Sequence, residues 1–253
     1  MTLRETRWQA REIKFVTGLA MGQSLVAWAR THLDPDEHGT GQHGDEYSTS
    51  TVYFETPEFD VYRRSGSYGR SKYRIRQYGG SNTVFLERKF RTERLLAKRR
   101  SCVAVTDLHR LRDQRADGTW DGFWFDRRVR LRRLQPLIQL SYDRVARMTT
   151  SATGPVRMTM DSNLQALPLP DYAFLPGIGL PFLEGTCIVE IKYRISPPAL
   201  VKELAATFGL QPQKISKFRA GLRALDYPLP ILPGEYPATA TPAGADEGGS
   251  FSD

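Results

Sequence analysis

Glu12 and Lys14, Glu87 and Lys89, and Glu190 and Lys192 form three carboxylate–ammonium pairs, each two residues apart within an apolar-alternating segment. Residues i and i+2 of a β-strand point to the same side, so each pair shares one face. The pattern recurs without the carboxylate in Lys72, Arg74 and Arg76, which alternate with Tyr73 and Ile75. In residues 156–161, Arg157, Thr159 and Asp161 lie opposite Val156, Met158 and Met160. A register slip of one residue would bury these charges against the apolar layer, so their facing is strongly specified. The wet face of an antiparallel sheet alternates in the same way, but an ordinary wet face is not this cationic. Charges of both signs repeated on one face of several strands predict a cavity in which cations neutralise phosphates and a subset of carboxylates holds a divalent ion.

The charge balance points the same way. The chain has 253 residues and a formal net charge of +8, yet residues 63–100 alone hold thirteen Lys or Arg against Glu87 and Glu93. Concentrated basicity implies a polyanionic partner: nucleic acid, an anionic membrane or a polyphosphate-like substrate. Cys102 and Cys187 lack metal-type spacing and read as reduced, packed thiols. No run approaches the roughly 18 apolar residues that span a bilayer, and no apolar leader follows N-terminal positive charge, so a soluble, cytoplasmic protein is expected. His-Glu-x-x-His and phosphate-loop motifs are missing. Gly39-x-Gly41-x-x-Gly44 precedes β-formers where a dinucleotide fingerprint requires a helix.

The elements that must position these residues follow from periodicity and turn chemistry. Strands are expected over 11–16, 47–56, 83–91 and 137–145, and through the basic Lys72 to Arg76 segment and the Arg157 and Glu190 segments, with Gly79 to Asn82 as a hairpin turn. Helices are expected over 17–33, over a short stretch at 107–115, from a Ser196-Pro197 cap to Gly209, and from near Gln213 with Ile215, Phe218, Leu222 and Leu225 buried. Trp120, Phe123, Trp124 and Phe125 read as core, and the five arginines of 127–133 as a solvated element or a rim of the charged site. The fold class is α+β: an antiparallel β-barrel with flanking helices, whose lumen receives alternate residues. One domain over 1–227 and a disordered Pro-, Gly- and Ala-rich tail over 228–253 complete the expected organisation.

Tyr53-Phe54-Glu55-Thr56, Lys72-Tyr73-Arg74-Ile75-Arg76, Leu86-Glu87-Arg88-Lys89, Val156 to Asp161, Val189-Glu190-Ile191-Lys192 and Lys214-Ile215-Ser216-Lys217-Phe218 occur in a telling order. Over roughly residues 9–226 the chain thereby resembles the catalytic domain of the vacuolar transporter chaperone complex. That domain is a polyphosphate polymerase of the triphosphate tunnel metalloenzyme (CYTH-like) superfamily. The resemblance implies ATP and inorganic polyphosphate as substrates and Mn²⁺ or Mg²⁺ as cofactor. It implies catalytic roles for Arg74, Arg76, Lys89, Arg157 and Lys192, and phosphate binding by Lys14, Lys214, Ser216 and Lys217, with Lys98 and Arg144 as further candidates. Glu190 would lead the metal site, with Glu12 and Glu87 contributing to it or orienting cations.

Two departures limit the carry-over. The hydrolytic and cyclase branches often begin Glu-x-Glu-x-Lys, where this chain has Ala10 before Glu12 and Lys14; the usual Tyr-Phe-Asp-Thr aspartate is Glu55. No region resembling the eukaryotic complex's phosphate-sensing or membrane parts accompanies the domain, so coupling to transport is not implied. Hydrolysis of tripolyphosphate or nucleoside triphosphates is the rival chemistry on this scaffold. A noncatalytic polyphosphate- or nucleic-acid-binding module is the rival from another class.

Overall fold

The computed structural model describes residues 11–37, 39–91, 96–113, 117–176, 178–227 and 229. Eight long strands carry the fold: β1 (Arg11–Gly18), β2 (Glu46–Glu55), β3 (Ser71–Tyr78), β4 (Thr83–Arg91), β5 (Leu96–Ala104), β6 (Gln135–Ser151), β7 (Gly154–Pro168) and β8 (Thr186–Tyr193). They form one antiparallel sheet in the order β1-β8-β7-β6-β2-β3-β4-β5. Gly79 and Gly80 make the β3–β4 hairpin possible. Their φ values of +54° and +68° lie in the left-handed region that side chains with a Cβ disfavour.

Alternation assigns the two faces. On the outer side, Phe15, Val156, Met158, Met160, Val189 and Ile191 pack with α1 (Leu19–His32) through Leu25 and Ala29. Val201 and Leu204 of a later helix join that cluster. Val52, Phe54, Tyr73, Ile75, Val84 and Leu86 pack with Trp124, Phe125 and Val129 of α2 (Phe123–Leu131). Trp124 and Phe125 are therefore core and Trp120 packs partly buried against it, whereas Phe123 joins neither apolar cluster; the arginine run belongs mostly to an amphipathic helix. The later helix is α3 (Ala199–Thr207); it is entered through Pro198 without a side-chain cap, in place of the expected Ser196-Pro197 cap.

The last helix, α4 (Lys217–Ala224), packs on the inner face. A Cβ added at Gly221 would lie 2.6 Å from Leu140 Cδ2, so glycine permits this close approach to β6. Phe218 and Leu222 are buried there, as their spacing predicts. The helix starts at Lys217 and not near Gln213, because the Gln213 N–H donates to the Lys14 carbonyl at 2.8 Å and ties that backbone to β1.

Three other expectations need correction. β5 has no counterpart in the sequence reading, and the expected helix near Asp107 is a 3₁₀ segment, Val105–Leu111. Cys187 is buried, but Cys102 is exposed, since it lies on edge strand β5 with a partner strand on one side only. The tail from 228 lies outside the described residues apart from Leu229, as does Ala10. Among the described residues no helix is long and apolar enough to cross a membrane.

Candidate active site in the barrel lumen

The inner face gathers the paired charges of separate strands into connected groups. At the centre, Lys217 Nζ lies 2.6 Å from Asp161 Oδ2 and 2.9 Å from Glu190 Oε1. Glu190 Oε1 also accepts from Lys14 at 2.9 Å, and Asp161 accepts two bonds from Arg144, at 2.6 and 2.7 Å. β1, β6, β7, β8 and α4 thus meet in one network. Ser216 caps α4 through the Arg219 N–H and also accepts from Lys72 Nζ at 3.1 Å, which links β3 to the helix start.

A second group surrounds Glu12. Its carboxylate faces Lys14 at 3.3 Å, Lys89 at 3.2 Å and Lys192 at 3.9 Å. A third surrounds Glu87, which is 1% exposed and faces Arg74 at 2.7 Å, Arg100 at 3.3 Å and Lys98. Arg76 is buried and donates to Thr51 Oγ1 and Tyr142 Oη, both at 3.1 Å. Arg157 donates to Asp36 at 2.7 Å and to the Tyr47 hydroxyl at 2.9 Å. Lys214 is the departure: it is exposed and makes none of these contacts.

Electrostatics follows from this packing. Burial raises the Glu190 carboxyl, but Lys14 and Lys217 outweigh it and hold it well below the usual range. The same competition, with Lys14 the main opposing cation, leaves Glu12 at about 2. Glu87 is likewise held well below its ordinary value, burial being overcome by Arg74, Lys98 and Arg76. Burial dominates the other way at two lysines: Lys192 falls to about 7 despite Glu190 and Glu12, and Lys98 falls to about 8 despite Glu87. The Lys192 side chain keeps 34% of its surface, so it is crowded by protein yet open to the lumen.

The three expected metal carboxylates do not assemble into one cage. Glu12 and Glu190 both face Lys14, while Glu87 belongs to the separate arginine group. Among the described residues no three His, Cys, Asp or Glu side chains are grouped for a metal. A pair of carboxylates still fits a hard divalent ion of the Mg²⁺ type, which takes one or two carboxylates and completes its shell with substrate phosphates and water.

Several members of the site escaped the sequence reading. Asp161, Tyr142, Lys72 and Arg100 all join it; parity had put Asp161 and Lys72 on the charged face, but nothing local marked their partners. Glu55 proves structural: its carboxylate accepts from the backbone N–H groups of Thr56, Val61 and Tyr62 at 2.7 to 2.8 Å. Two grooves of about 410 and 540 Å³, lined in part by Ser48, Ser50 and Asn163 and by His109, Tyr172 and Phe174, hold none of the lumen ion pairs described above.

The family model described as the VTC domain matches residues 9–226, the span that contains every lumen residue named above. The chain belongs to the VTC domain family. Among solved structures, this VTC domain is similar to a candidate adenylate cyclase from Bacillus halodurans, with 16% identity and a TM-score of 0.52 over 83% of this chain and 94% of the other. It is also similar to a candidate adenylyl cyclase from Hippeastrum, described as having a dominant triphosphatase activity, at 17% identity and a TM-score of 0.45 over 87% and 97%. The first of these likenesses shows a shared fold. Among curated proteins none matches.

Proposed function

We propose that this VTC domain is a polyphosphate polymerase that moves the terminal phosphoryl group of ATP onto inorganic polyphosphate. One observation carries the reading: the lumen carboxylates are paired with lysine or arginine and held ionised below their ordinary pKa. A general base works best with a pKa near the operating pH, so these carboxylates are poor activators of water. A polyphosphate acceptor needs no such base, because its terminal oxygen is already ionised. This favours transfer over the hydrolysis that the same scaffold also allows.

In the reaction, the acceptor oxygen forms a bond to the γ-phosphorus as the bond from that phosphorus to the bridging oxygen of ADP breaks. Lys14, Lys89, Lys192 and Lys217 surround the path, and Arg74 and Arg76 add fixed guanidinium groups from β3. Such preorganised cations act on the charge that develops on the equatorial and leaving oxygens. Lys192, poised near neutrality, gains its proton as phosphates arrive. Glu190 and Glu12 would hold a divalent ion such as Mn²⁺ or Mg²⁺, which would supply further charge neutralisation. Dependence on ATP accords with a cytoplasmic location.

Incubation with ATP and Mn²⁺ tests the assignment. Long-chain polyphosphate with stoichiometric ADP is the expected product. Free phosphate without polymer would make the protein a hydrolase, and unchanged ATP would make it a binding module.

A further inference from the structure

Cations account for phosphate binding, but they leave unexplained why one wall of the same lumen is aromatic. Phe85 of β4 stands opposite Arg76 of β3, and Tyr78 opposite Thr49 of β2, so both rings share the inner face with the charged groups. Ring centroids are 5.7 Å apart for Tyr78 and Phe85, and 5.5 Å for Tyr47 and Tyr78. The Arg100 guanidinium lies 3.2 Å from the Phe85 centroid and 5.7 Å from that of Tyr78; Arg76 lies 5.9 Å from Tyr78. Phe85 and Tyr78 are only partly buried and belong to neither hydrophobic cluster. A phosphate chain gains nothing from ring faces, and a core would have covered them.

We infer that Phe85, Tyr78 and Arg100 form a stacking platform for the base of the phosphate donor, a purine nucleoside triphosphate. The inference rests on the nucleotide-donor reading above. Aromatic rings and guanidinium planes are the surfaces on which unpaired bases stack, and the larger purine ring covers more of them. Lys89 follows Phe85 by four residues on β4, about 13 Å along the strand, so base and phosphates have separate places in one lumen.

Calorimetric titration without divalent ions separates base recognition from phosphate recognition, with ATP, CTP and inorganic triphosphate as probes. The unaltered protein should bind ATP more tightly than CTP. Phe85→Leu keeps apolar volume but removes the ring, and should weaken ATP roughly tenfold while leaving inorganic triphosphate within about twofold. Phe85→Ala should do the same, with circular dichroism checking its fold. Unchanged ATP affinity in Phe85→Leu, or equal losses for ATP and triphosphate, would overturn the platform while the phosphate lumen stands. Equal affinity for ATP and CTP in the unaltered protein would overturn the purine assignment. Failure to bind even triphosphate would remove the phosphate reading and the platform with it.

Discussion

Lys89 Nζ donates to Glu12 Oε2 at 3.2 Å, joining β4 to β1 across the open side of the sheet. No backbone ladder pairs β1 with β5 among the described residues, so side chains complete the tunnel there. The pair is one-third exposed on its lysine side, and such pairs stabilise by less than about 1 kcal/mol. Lys89→Ala should therefore leave the melting temperature nearly unchanged and lower the initial rate of ATP consumption strongly. A large drop in melting temperature would mean that this contact holds the sheet edges together.

Lys217 calls for a different expectation. Its ammonium group is buried between Asp161 and Glu190, and removing one member of a buried pair leaves uncompensated charge. Lys217→Ala should cost about 3 kcal/mol or more of stability, read from urea midpoints. Arg74→Ala should lose turnover with a smaller stability cost, because Glu87 retains Lys98 and Arg100. Equal stability of Lys217→Ala and the unaltered protein would argue against a closed central network.

The lowered lysines give a pH signature with a definite sign. Burial pushes Lys192 to about 7 and Lys98 to about 8, so in the empty lumen both lose charge as the pH rises past those values. Bound phosphate favours the charged forms and raises both pKa values. Triphosphate binding above about pH 8 should therefore take up protons, and binding below about pH 6 should not. Calorimetry in buffers of different ionisation enthalpy reads the uptake, and the Lys98→Arg, Lys192→Arg double variant should abolish it. Net proton release at alkaline pH would contradict the scheme.

Arg130 is a staple outside the lumen. It donates to the Asp126 carboxylate at 2.8 Å and to the carbonyls of Leu111 and Asp113 at 3.1 and 2.9 Å, fastening the loop before α2 to that helix. Arg130→Ala should lower stability by about 1 kcal/mol, since the group is partly exposed, and leave the initial transfer rate unaltered. A variant with normal stability and lost transfer would place the arginine run in the site.

The sequence alone determined which residues face inward. Period-2 alternation is a local property, and it put Glu12, Lys14, Arg74, Arg76, Glu87, Lys89, Glu190 and Lys192 on the charged face because they alternate with apolar residues such as Ile13, Phe15, Tyr73, Ile75, Leu86, Val189 and Ile191 that must be buried. The hairpin at Gly79 and Gly80 was legible from its turn residues, which is also a local signal. β5 was not: Lys98 and Arg100 face Glu87 while Arg99 stacks over Trp124 at 4.3 Å, so cations occupy both faces and hide the alternation. Only the tertiary structure decided which charge meets which. Lys217 finds Asp161 and Glu190, and Lys89 finds Glu12, through strand order and the docking of α4. Spacing along the chain carries no trace of contacts made between distant segments, and burial then sets the charge state of Lys192 against its own ordinary value.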